Sequence, residues 1–583
     1  MYHGNENKNI WSIAMLKFKN RKQVKLYEDN SWLTKKQYER LSGSVYHTFR
    51  EFILPDISVK LVSKFFSERH GRPTKDIQSM IGLFILQHTF DMSDDQTIEA
   101  YTYNDAFRYA LDISRNEYLA VRTYYYYRSI ILGKGKRIFE NTLKTILEKF
   151  EFSHNIQRID STIVQTWLKN MNRLEMFSET IRLFLTQLKK KHEDIFKEIP
   201  ESVREKYLPD NDDDCWFGKY RPSQYDQALI STAKDILAII SQFKEHPCVS
   251  QLNAFALLQR IVKEQVHVEG EQITIKLRDE YKGSALVNPH DPDAQYNGHK
   301  KKAGYKVNSV ESCSESKDVD NPNIILEAQV LPANKADCNT LETTIDNLEQ
   351  KGLKPEKMLA DNGYDSQENE SKLHDRGVEL IAPPTGDVPD GFAVMDFETD
   401  EATHEIKKCP MGQKCKENIV NEEAKKTKSC FDPLKCQQCP HADDCPVIIG
   451  KRTANLTWEW DRIRMEARRF QFQDDPDLKD LFKQRSGGES TFGCLKAHMG
   501  LDRVSRRGFD KVQFVVFLML TGLNILRIHR WRVRQGGVAS KLRSSAPKNG
   551  LFVRFMVQNC FLACLMTFFV RIRGAWREGE LCS

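Results

Sequence analysis

Two stretches of alternating apolar and polar residues decide the fold of this chain: Tyr305-Lys-Val-Asn-Ser-Val310 and Ile324-Ile-Leu-Glu-Ala-Gln-Val330. A period of two residues is typical of β-strands. A helical pattern at 338–350 follows, and then a short apolar strand at 357–360, another helix and a strand at 378–382. The order strand-strand-helix-strand-helix-strand predicts a mixed α/β layer.

The charge of the chain is unevenly distributed. The formal net charge is only +6, but residues 500–577 contain fifteen Lys and Arg against two acidic residues. Such a bias is expected of a surface that binds a polyanion. A charged fraction of 29%, a negative mean hydropathy and no signal-peptide pattern near the start indicate a soluble protein. The apolar stretch 551–570 contains Arg554, which favours a buried or peripheral helix over a membrane span.

Three acidic residues occupy positions suited to a divalent cation. Asp160 ends the apolar segment 156–159, a candidate first strand, and Asp361 leaves the strand at 357–360 directly into a turn. Glu489 lies far downstream in a helical pattern. Mg²⁺ takes oxygen ligands from carboxylates, waters and phosphates. Two such ions about 3.5–4 Å apart can activate an attacking oxygen and stabilise a leaving one. The three carboxylates therefore indicate metal-dependent phosphoryl transfer.

Glu489, Phe492 and Lys496 share one face of the predicted helix, because they lie at positions i, i+3 and i+7. Seven residues of helix rise about 10 Å. A carboxylate at one end can therefore bind metal while a Lys two turns away contacts a DNA phosphate as a point charge.

The residues Phe482, Arg485, Glu489 and Lys496 have a familiar spacing, with two, three and six residues between them. It resembles the Tyr-Arg-Glu-Lys signature of the bacterial insertion-sequence DDE transposases. Phe482 stands in place of the Tyr, so the hydroxyl is missing and an aromatic ring remains. The stretches 500–527, 291–307 and 40–130 are also similar to this family, so the resemblance extends over about residues 40–535.

The resemblance implies an α/β fold with an RNase H-like mixed-sheet catalytic core. By carry-over, Asp160, Asp361 and Glu489 are the catalytic residues and bind Mg²⁺ or Mn²⁺. The implied DNA-binding residues are Arg485, Lys496, Arg503, Arg506 and Arg507.

The pattern and the resemblance together predict an order of domains. These are a helical N-terminal DNA-binding domain at 1–150, a first core segment at 151–385 with a helical insertion at about 165–270, a Cys-rich insertion at 386–450, a second core segment with the catalytic Glu helix at 451–535, and a basic and apolar tail of unknown role at 536–583. The expected partners are double-stranded DNA with terminal inverted repeats and a second copy in a synaptic homodimer, with no membrane. We expect the protein in the cytoplasm, associated with the nucleoid.

The expected reaction is metal-dependent cleavage at transposon ends followed by strand transfer, of the cut-and-paste type. One alternative is an RNase H-like DNA nuclease without strand transfer. Another is a non-catalytic, repurposed DNA-binding derivative of a transposase, against which the three intact carboxylates argue.

Each catalytic candidate also has a purely structural alternative. Ser486 and Glu489 have the spacing of a helix capping box. Asp160 can be a strand-end residue, and Asp361 can cap the turn that follows it. Asp365 competes with Asp361, which we favour because it leaves the strand directly.

Six of the fourteen cysteines fall between Cys409 and Cys445. Cys436, Cys439 and Cys445 form a Cys-x₂-Cys-x₅-Cys pattern, which is typical of zinc ligands. With Cys409 as the fourth ligand they predict a structural Zn²⁺ site. Competing fourth ligands are Cys415, Cys430 and His441, and the alternative is a reduced loop without metal.

Trp458 and Trp460 alternate in a strand-like segment between the second Asp and the Glu. Related transposases hold a flipped DNA base in an insertion at this place, and an indole face suits base stacking. The alternative is that both indoles pack beneath the Cys-rich segment.

Overall fold

The computed structural model describes residues 19, 21, 33–66, 74–168, 171–209, 221–270, 272–280, 282–316, 320–384 and 390–535. The expected tail at 536–583, with its apolar stretch at 551–570, lies outside these residues.

The helices and strands alternate in long blocks. The helices are α1 (Lys35–Ser42), α2 (Val45–Thr48), α3 (Ile77–Thr89), α4 (Asp94–Tyr103), α5 (Asp105–Leu111), α6 (Val121–Ile131), α7 (Gly135–Lys149), α8 (Arg173–Lys191), α9 (Glu193–Lys197), α10 (Glu201–Tyr207), α11 (Tyr225–Phe243), α12 (Asn253–Gln265), α13 (Leu341–Gln350), α14 (Gln367–Asp375), α15 (Pro433–Gln437), α16 (Arg462–Asp474), α17 (Pro476–Lys483), α18 (Ser486–Met499) and α19 (Phe509–Arg534). The strands are β1 (Ile156–Thr166), β2 (Val266–Glu269), β3 (Gln272–Ile275), β4 (Gln295–Asn297), β5 (Lys302–Ser312), β6 (Ile325–Pro332), β7 (Lys357–Leu359), β8 (Glu379–Ile381), β9 (Glu398–Asp400), β10 (Glu405–Lys408), β11 (Glu417–Asn421), β12 (Lys426–Phe431), β13 (Ile448–Ile449), β14 (Ala454–Glu459) and β15 (Arg503–Val504).

A mixed sheet forms the centre of this α/β molecule, with β1 as its middle strand. β1 pairs antiparallel with β5 and parallel with β7, while β6 lies antiparallel beyond β5 and β8 lies parallel beyond β7. The short strands β4 and β15 pair with the ends of β5 and β1. β1 runs from Ile156 to Thr166, well past the expected 156–159, because apolar side chains such as Ile163 and Val164 continue its buried pattern.

The N-terminal helices and the last helix bury one continuous core with this sheet. α19 packs against α3 and α7 and also contacts β6. Among the described helices it alone has the length and apolar composition of a membrane span, but 78% of its most apolar window is buried inside the protein. Packing on all sides explains why α19 is apolar around its circumference.

In the sequence, the helices α8 to α12 come after β1 and before β5, and they form a separate helical layer. They enclose a core of their own, which includes Phe177, Phe184, Phe243 and Phe255. The sequence also alternates at 272–276, where the strand β3 forms, but β3 pairs with β2 in a hairpin and not with the central sheet.

The Cys-rich region has more regular structure than its polar sequence predicts. β11, β12, β14 and β13 form a sheet in that order, and β9 pairs with β10. Phe397, Phe431, Leu456 and Trp458 build a small core beneath this sheet. The sequence does not predict these strands, because they are short and their outward faces carry Lys and Glu. The alternation of apolar and polar residues is therefore weak.

Candidate functional site

Asp160 lies within β1 and is half-buried. Its Oδ1 accepts a hydrogen bond of 2.8 Å from the Ser161 N–H. The pKa of Asp160 is raised to about 6, first by burial and then by the nearby carboxylates of Asp361 and Glu489, against the lowering effects of Ser161 and Arg485. Asp160 is therefore a half-buried carboxyl group that lies near two further carboxylates and one arginine.

Asp361 follows β7, the parallel neighbour of β1, so both aspartates belong to the same region of the sheet. Its Oδ1 accepts a hydrogen bond of 3.0 Å from the Gly363 N–H, so Asp361 does cap the turn as well. Asp365, the competing carboxylate, is fully buried and forms an ion pair with Arg468 at 2.6 Å. The structure thus gives Asp365 a structural partner and leaves Asp361 beside Asp160.

Glu489 belongs to α18, which packs directly on β1. A Cβ added at Gly488 would lie 3.0 Å from the Cβ of Asp160, so the absence of a side chain there permits this approach. The Glu489 side chain is 63% exposed and accepts a hydrogen bond from Arg485. The capping-box alternative is wrong: α18 has no side-chain cap, and Ser486 Oγ donates to the Lys483 carbonyl instead.

The three carboxylates fit Mg²⁺ or Mn²⁺ by chemistry, because they offer hard oxygen ligands and repel one another. Within the described ranges, no three His, Cys, Asp or Glu side chains are yet arranged to hold a metal ion. Glu489 is turned toward Arg485, and the distance between them is that of an ion pair. A cation at this site would therefore take the place of Arg485 as the partner of Glu489.

A buried charge network fixes the position of α18. Glu311 on β5 accepts a 2.6 Å hydrogen bond from Arg158 Nε on β1 and a second from Arg527 on α19. The Thr491 hydroxyl on α18 lies 2.9 and 2.8 Å from its two carboxylate oxygens and donates its one proton between them. The Arg158 guanidinium also lies against Gly487. Asp160 and Glu489 are each two residues from a member of this network, so it sets their separation.

We expect Gly488→Ala to reduce catalytic activity about a hundredfold with the fold retained. The new methyl group would push α18 away from β1, and a displacement of about 1 Å at a catalytic group costs on the order of 10²-fold in rate. The measurement is the rate of metal-dependent phosphodiester cleavage together with thermal unfolding. Gly493→Ala on the same helix is the matched control, because an added Cβ there meets nothing within 4 Å. Equal rates for the two variants would contradict the close packing at Asp160.

Lys496 is half-buried two turns after Glu489 and lies near Lys300 and Lys302 of the β4–β5 hairpin. Burial lowers its pKa first, and the charges of Lys302 and Lys300 lower it further, whereas Asp502 and Asp160 raise it. These two hairpin lysines are not among the residues predicted from the sequence, although the run Lys300-Lys-Lys302 is a basic cluster.

The segment 503–507 between α18 and α19, here called the basic turn, carries three arginines whose surroundings differ. Arg503 and Arg507 are exposed. The Arg503 guanidinium lies 5.3 Å from the ring centroid of Trp167, and Arg507 Nε donates a 3.0 Å hydrogen bond to the Trp167 carbonyl. Arg506 instead forms an ion pair with Asp94 at 3.1 Å and is half-buried. This ion pair connects the basic turn to α4 of the N-terminal helices.

Phe482 does not present a free aromatic surface. It packs in a small apolar cluster with Leu478 and Leu481, and its ring meets Phe472 edge-on at 5.2 Å.

Four of the six clustered thiols line one cavity of about 370 Å³, namely Cys409, Cys436, Cys439 and Cys445. Burial, followed by the proximity of the other three thiols, raises the pKa of Cys436 to about 11. The Gln413 N–H donates a 3.3 Å hydrogen bond to Cys409 Sγ.

The competing ligands of the proposed zinc site have other contacts. Cys415 Sγ donates to the carbonyls of Glu417 and Cys430 at 3.2 and 3.3 Å. The His441 ring lies 5.1 Å from that of Phe392.

Trp458 and Trp460 pack beneath the Cys-rich region, as the structural alternative predicted. Trp458 is 2% exposed and its Nε1 donates to Ser429 Oγ at 3.4 Å. Trp460 donates to Thr427 and stacks on His404 at 3.8 Å between ring centroids. Trp458 is therefore buried, and one face of the Trp460 indole is covered by His404.

Two family models match the chain. Residues 35–123 match a transposase domain (DUF772), and residues 408–529 match a transposase DDE domain. The second match contains Glu489, Lys496 and the clustered thiols, whereas Asp160 and Asp361 lie outside both matches. No curated protein matches the chain.

Proposed function

We propose that this protein, a DNA transposase with an enzymatic DDE domain, cuts the ends of an insertion sequence and joins them to new DNA, using Asp160, Asp361 and Glu489 as catalytic carboxylates. The observation that carries this proposal is the convergence of three carboxylates from β1, the turn after β7 and α18. These elements come from distant regions of the chain, and a purely structural role gives no reason to gather like charges.

The chemistry is two successive phosphoryl transfers. In the first, a water oxygen bonds to the phosphorus at the transposon end, the bond to the 3′ oxygen breaks, and that oxygen takes up a proton. In the second, the freed 3′-hydroxyl loses its proton and bonds to a phosphorus in target DNA, displacing another 3′ oxygen. Mg²⁺ or Mn²⁺ held by the three carboxylates supplies charge stabilisation and activation of the attacking oxygen.

The positions of the protein groups suit these steps. Asp160 lies in β1 and Asp361 closely follows β7, and the parallel pairing of these two strands brings the aspartates to one region of the sheet before DNA binds. Arg485 holds the Glu489 carboxylate in an ion pair, and it would be available to contact a phosphate oxygen if a bound cation replaced it. Lys496, with Arg503 and Arg507, contacts the DNA backbone further along, whereas Arg506 anchors the basic turn.

The finer classification is an RNase H-like core with a variant of the Tyr-Arg-Glu-Lys signature. The strand order β6-β5-β1-β7-β8, in which β5 alone is antiparallel to both of its main neighbours, supports the RNase H-like core. Arg485, Glu489 and Lys496 on or beside α18 support the signature, with Phe482 serving as a packing residue.

The proposal includes the domain division 1–150, 151–385 with the helical insertion at 165–270, 386–450 and 451–535. It also includes double-stranded DNA with terminal inverted repeats as substrate, a synaptic homodimer, a cut-and-paste pathway and a location at the nucleoid. DNA contacts at both ends of an element require two active sites, which a dimer provides.

The test uses DNA from either side of the gene as substrate, with Mg²⁺ or Mn²⁺, and sequencing of the products. Cleavage at an inverted repeat followed by joined products in a target plasmid is the expected result. Cleavage without joining would replace the proposal by a nuclease, and neither reaction would favour a non-catalytic DNA-binding derivative.

We also propose that Cys409, Cys436, Cys439 and Cys445 would hold a structural Zn²⁺ ion in the Cys-rich region. The shared cavity and the mutual effect of the four thiols on one another support this set. Zn²⁺ binds thiolates, so it would displace protons from thiols whose pKa is otherwise raised. The apolar core of this region contains few residues, so a bound metal would add stability that the core alone does not provide.

We expect the purified protein to contain about one Zn²⁺ per chain, and Cys436→Ser to lose it and unfold at a lower temperature. Elemental analysis of protein prepared without chelator is the measurement. Cys415→Ser is the matched control, because its thiol is engaged with backbone carbonyls outside the set. Absence of zinc from the wild-type protein, or equal zinc in Cys436→Ser, would contradict the site.

A further inference from the structure

The C-terminal end of β1 is surrounded by basic residues from three separate segments. β5 flanks it on one side, through the pair Val164 and Tyr305, and the β4–β5 hairpin continues past this end. β15 flanks it on the other side, where Gln165 pairs with Arg503. α18 brings Lys496 to the same place, since its charge interacts with those of the hairpin lysines.

Trp167 immediately follows β1 and contacts two of these basic residues, Arg503 and Arg507. Its indole is 57% exposed, which is unusual for so large an apolar side chain. The ring is nevertheless held in place, because its Nε1 donates a 3.2 Å hydrogen bond to the Arg503 carbonyl and the Arg503 guanidinium lies 5.3 Å from its centroid. The backbone carbonyl of Trp167 accepts from Arg507. An exposed but immobilised indole is suited to contact a partner at low entropic cost.

The lysines near Trp167 have no acidic partner that would explain their gathering. Among the described residues, neither Lys300 nor Lys302 nor Lys496 forms an ion pair, and Asp502 is the acidic residue that chiefly counters the charge of Lys496. The hairpin turn is itself ordered, because Asn297 Oδ1 accepts a 2.8 Å hydrogen bond from the Lys300 N–H. Like charges kept together without ion pairs are expected where a polyanion binds.

We propose that Lys300, Lys302, Lys496, Arg503 and Arg507, around the indole of Trp167, form a DNA-binding surface, the β1-end surface, that binds the phosphate backbone of duplex DNA beside the catalytic carboxylates. The inference rests on the proposed function and adds residues and a position to it. Trp167 lies seven residues after Asp160 along an extended strand, a span of about 23 Å, and Lys496 lies seven residues after Glu489 along a helix, a span of about 10 Å. The surface therefore contacts DNA roughly three to seven base pairs from the bond that is cut.

The charged residues and the indole contribute to binding in different ways. Each lysine that neutralises a phosphate releases counterions, so its loss lowers the salt dependence of the affinity. The indole carries no charge and its contacts release no counterions, so we expect its loss to weaken binding without changing the salt slope. This difference makes the surface testable without knowledge of the DNA sequence that the protein prefers.

The experiment measures binding of the full chain to a fluorescent 30-base-pair duplex of random sequence, in EDTA, over a series of NaCl concentrations. For Lys300→Ala/Lys302→Ala we expect the slope of log affinity against log salt to fall by about 2, with affinity at least about tenfold weaker near 0.1 M NaCl. Lys190→Ala/Lys191→Ala removes the same charge from the exposed end of α8 and is the matched control, for which the slope stays unchanged. An unchanged slope for the hairpin variant, or an equal fall for the control, would overturn the proposal.

For Trp167→Ala we expect about tenfold weaker binding with the wild-type slope, and for Trp167→Phe most of the affinity retained. Thermal unfolding of each variant shows whether the fold is intact, and the Phe variant and the lysine pair decide the matter if the Ala variant unfolds early. Wild-type affinity for Trp167→Ala would remove the indole from the surface. Because EDTA excludes catalysis, these results stand apart from the cleavage assay, so failure of the transposase chemistry and failure of this surface are distinguishable.

Discussion

Asp160→Asn, Asp361→Asn and Glu489→Gln are each expected to reduce metal-dependent cleavage of end-containing DNA by about 10³-fold or more, with DNA binding unchanged. The amides keep the size of the side chain and its hydrogen-bonding oxygen, including the one that accepts from Ser161, but they remove the negative charge that a divalent cation needs. The measurement is the single-turnover cleavage rate with Mg²⁺ or Mn²⁺, alongside affinity for the same DNA in EDTA.

Glu368→Gln is the matched control for these substitutions. Glu368 lies on α14, seven residues from Asp361, and its side chain is 74% exposed in a surface ion pair with Lys372. Loss of that pair is worth little, so normal cleavage is expected. Normal cleavage by any one of the three catalytic variants would remove that residue from the site. Loss of cleavage in the Glu368 variant would show that the assay reports charge in general.

Glu311→Ala is expected to lower the free energy of unfolding by about 3–5 kcal/mol, because it leaves the buried guanidinium of Arg158 and the largely buried one of Arg527 without their carboxylate. The side chains of Glu311 and Arg158 are 2% and 6% exposed, so water cannot take over this role. The surviving folded protein should also cleave more slowly, since Thr491 loses the contact that ties α18 to β5. Urea unfolding followed by circular dichroism measures the first effect.

Asp320→Ala is the control for the loss of unfolding free energy. Asp320 forms an ion pair of 2.8 Å with Arg534, which lies on α19 as Arg527 does, but both of these side chains are exposed. An exposed pair contributes roughly 0–1 kcal/mol. A loss for Glu311→Ala no larger than that for Asp320→Ala would contradict the view that the buried network holds α18 in place.

Local patterns in the sequence predicted the strands that form the sheet. The alternation at 305–310 and 324–330 and the apolar segment at 357–360 became β5, β6 and β7, because alternate side chains of a strand face opposite sides and only burial favours apolar residues there. The Cys-rich strands were missed, since short strands with charged outer faces give a weak alternation.

The candidate site was only partly accessible from the sequence. Residue type and spacing selected Asp160, Asp361 and Glu489, and the resemblance to a known signature joined them. Spacing could not separate Asp361 from Asp365 firmly, because both follow the same strand. The ion pair of Asp365 with Arg468, which is 103 residues away in the chain, separates the two.

The sequence by itself determined the chemical types available to this protein: three carboxylates, a Lys two helical turns beyond one of them, four spaced thiols and a mixed α/β pattern. Only the tertiary structure decided which of these groups meet. The Arg158–Glu311–Arg527 network, the use of Arg506 by Asp94 and the exposure of Trp167 all depend on contacts between distant segments. Such contacts follow from how helices and strands pack in three dimensions, and no local period in the chain encodes them.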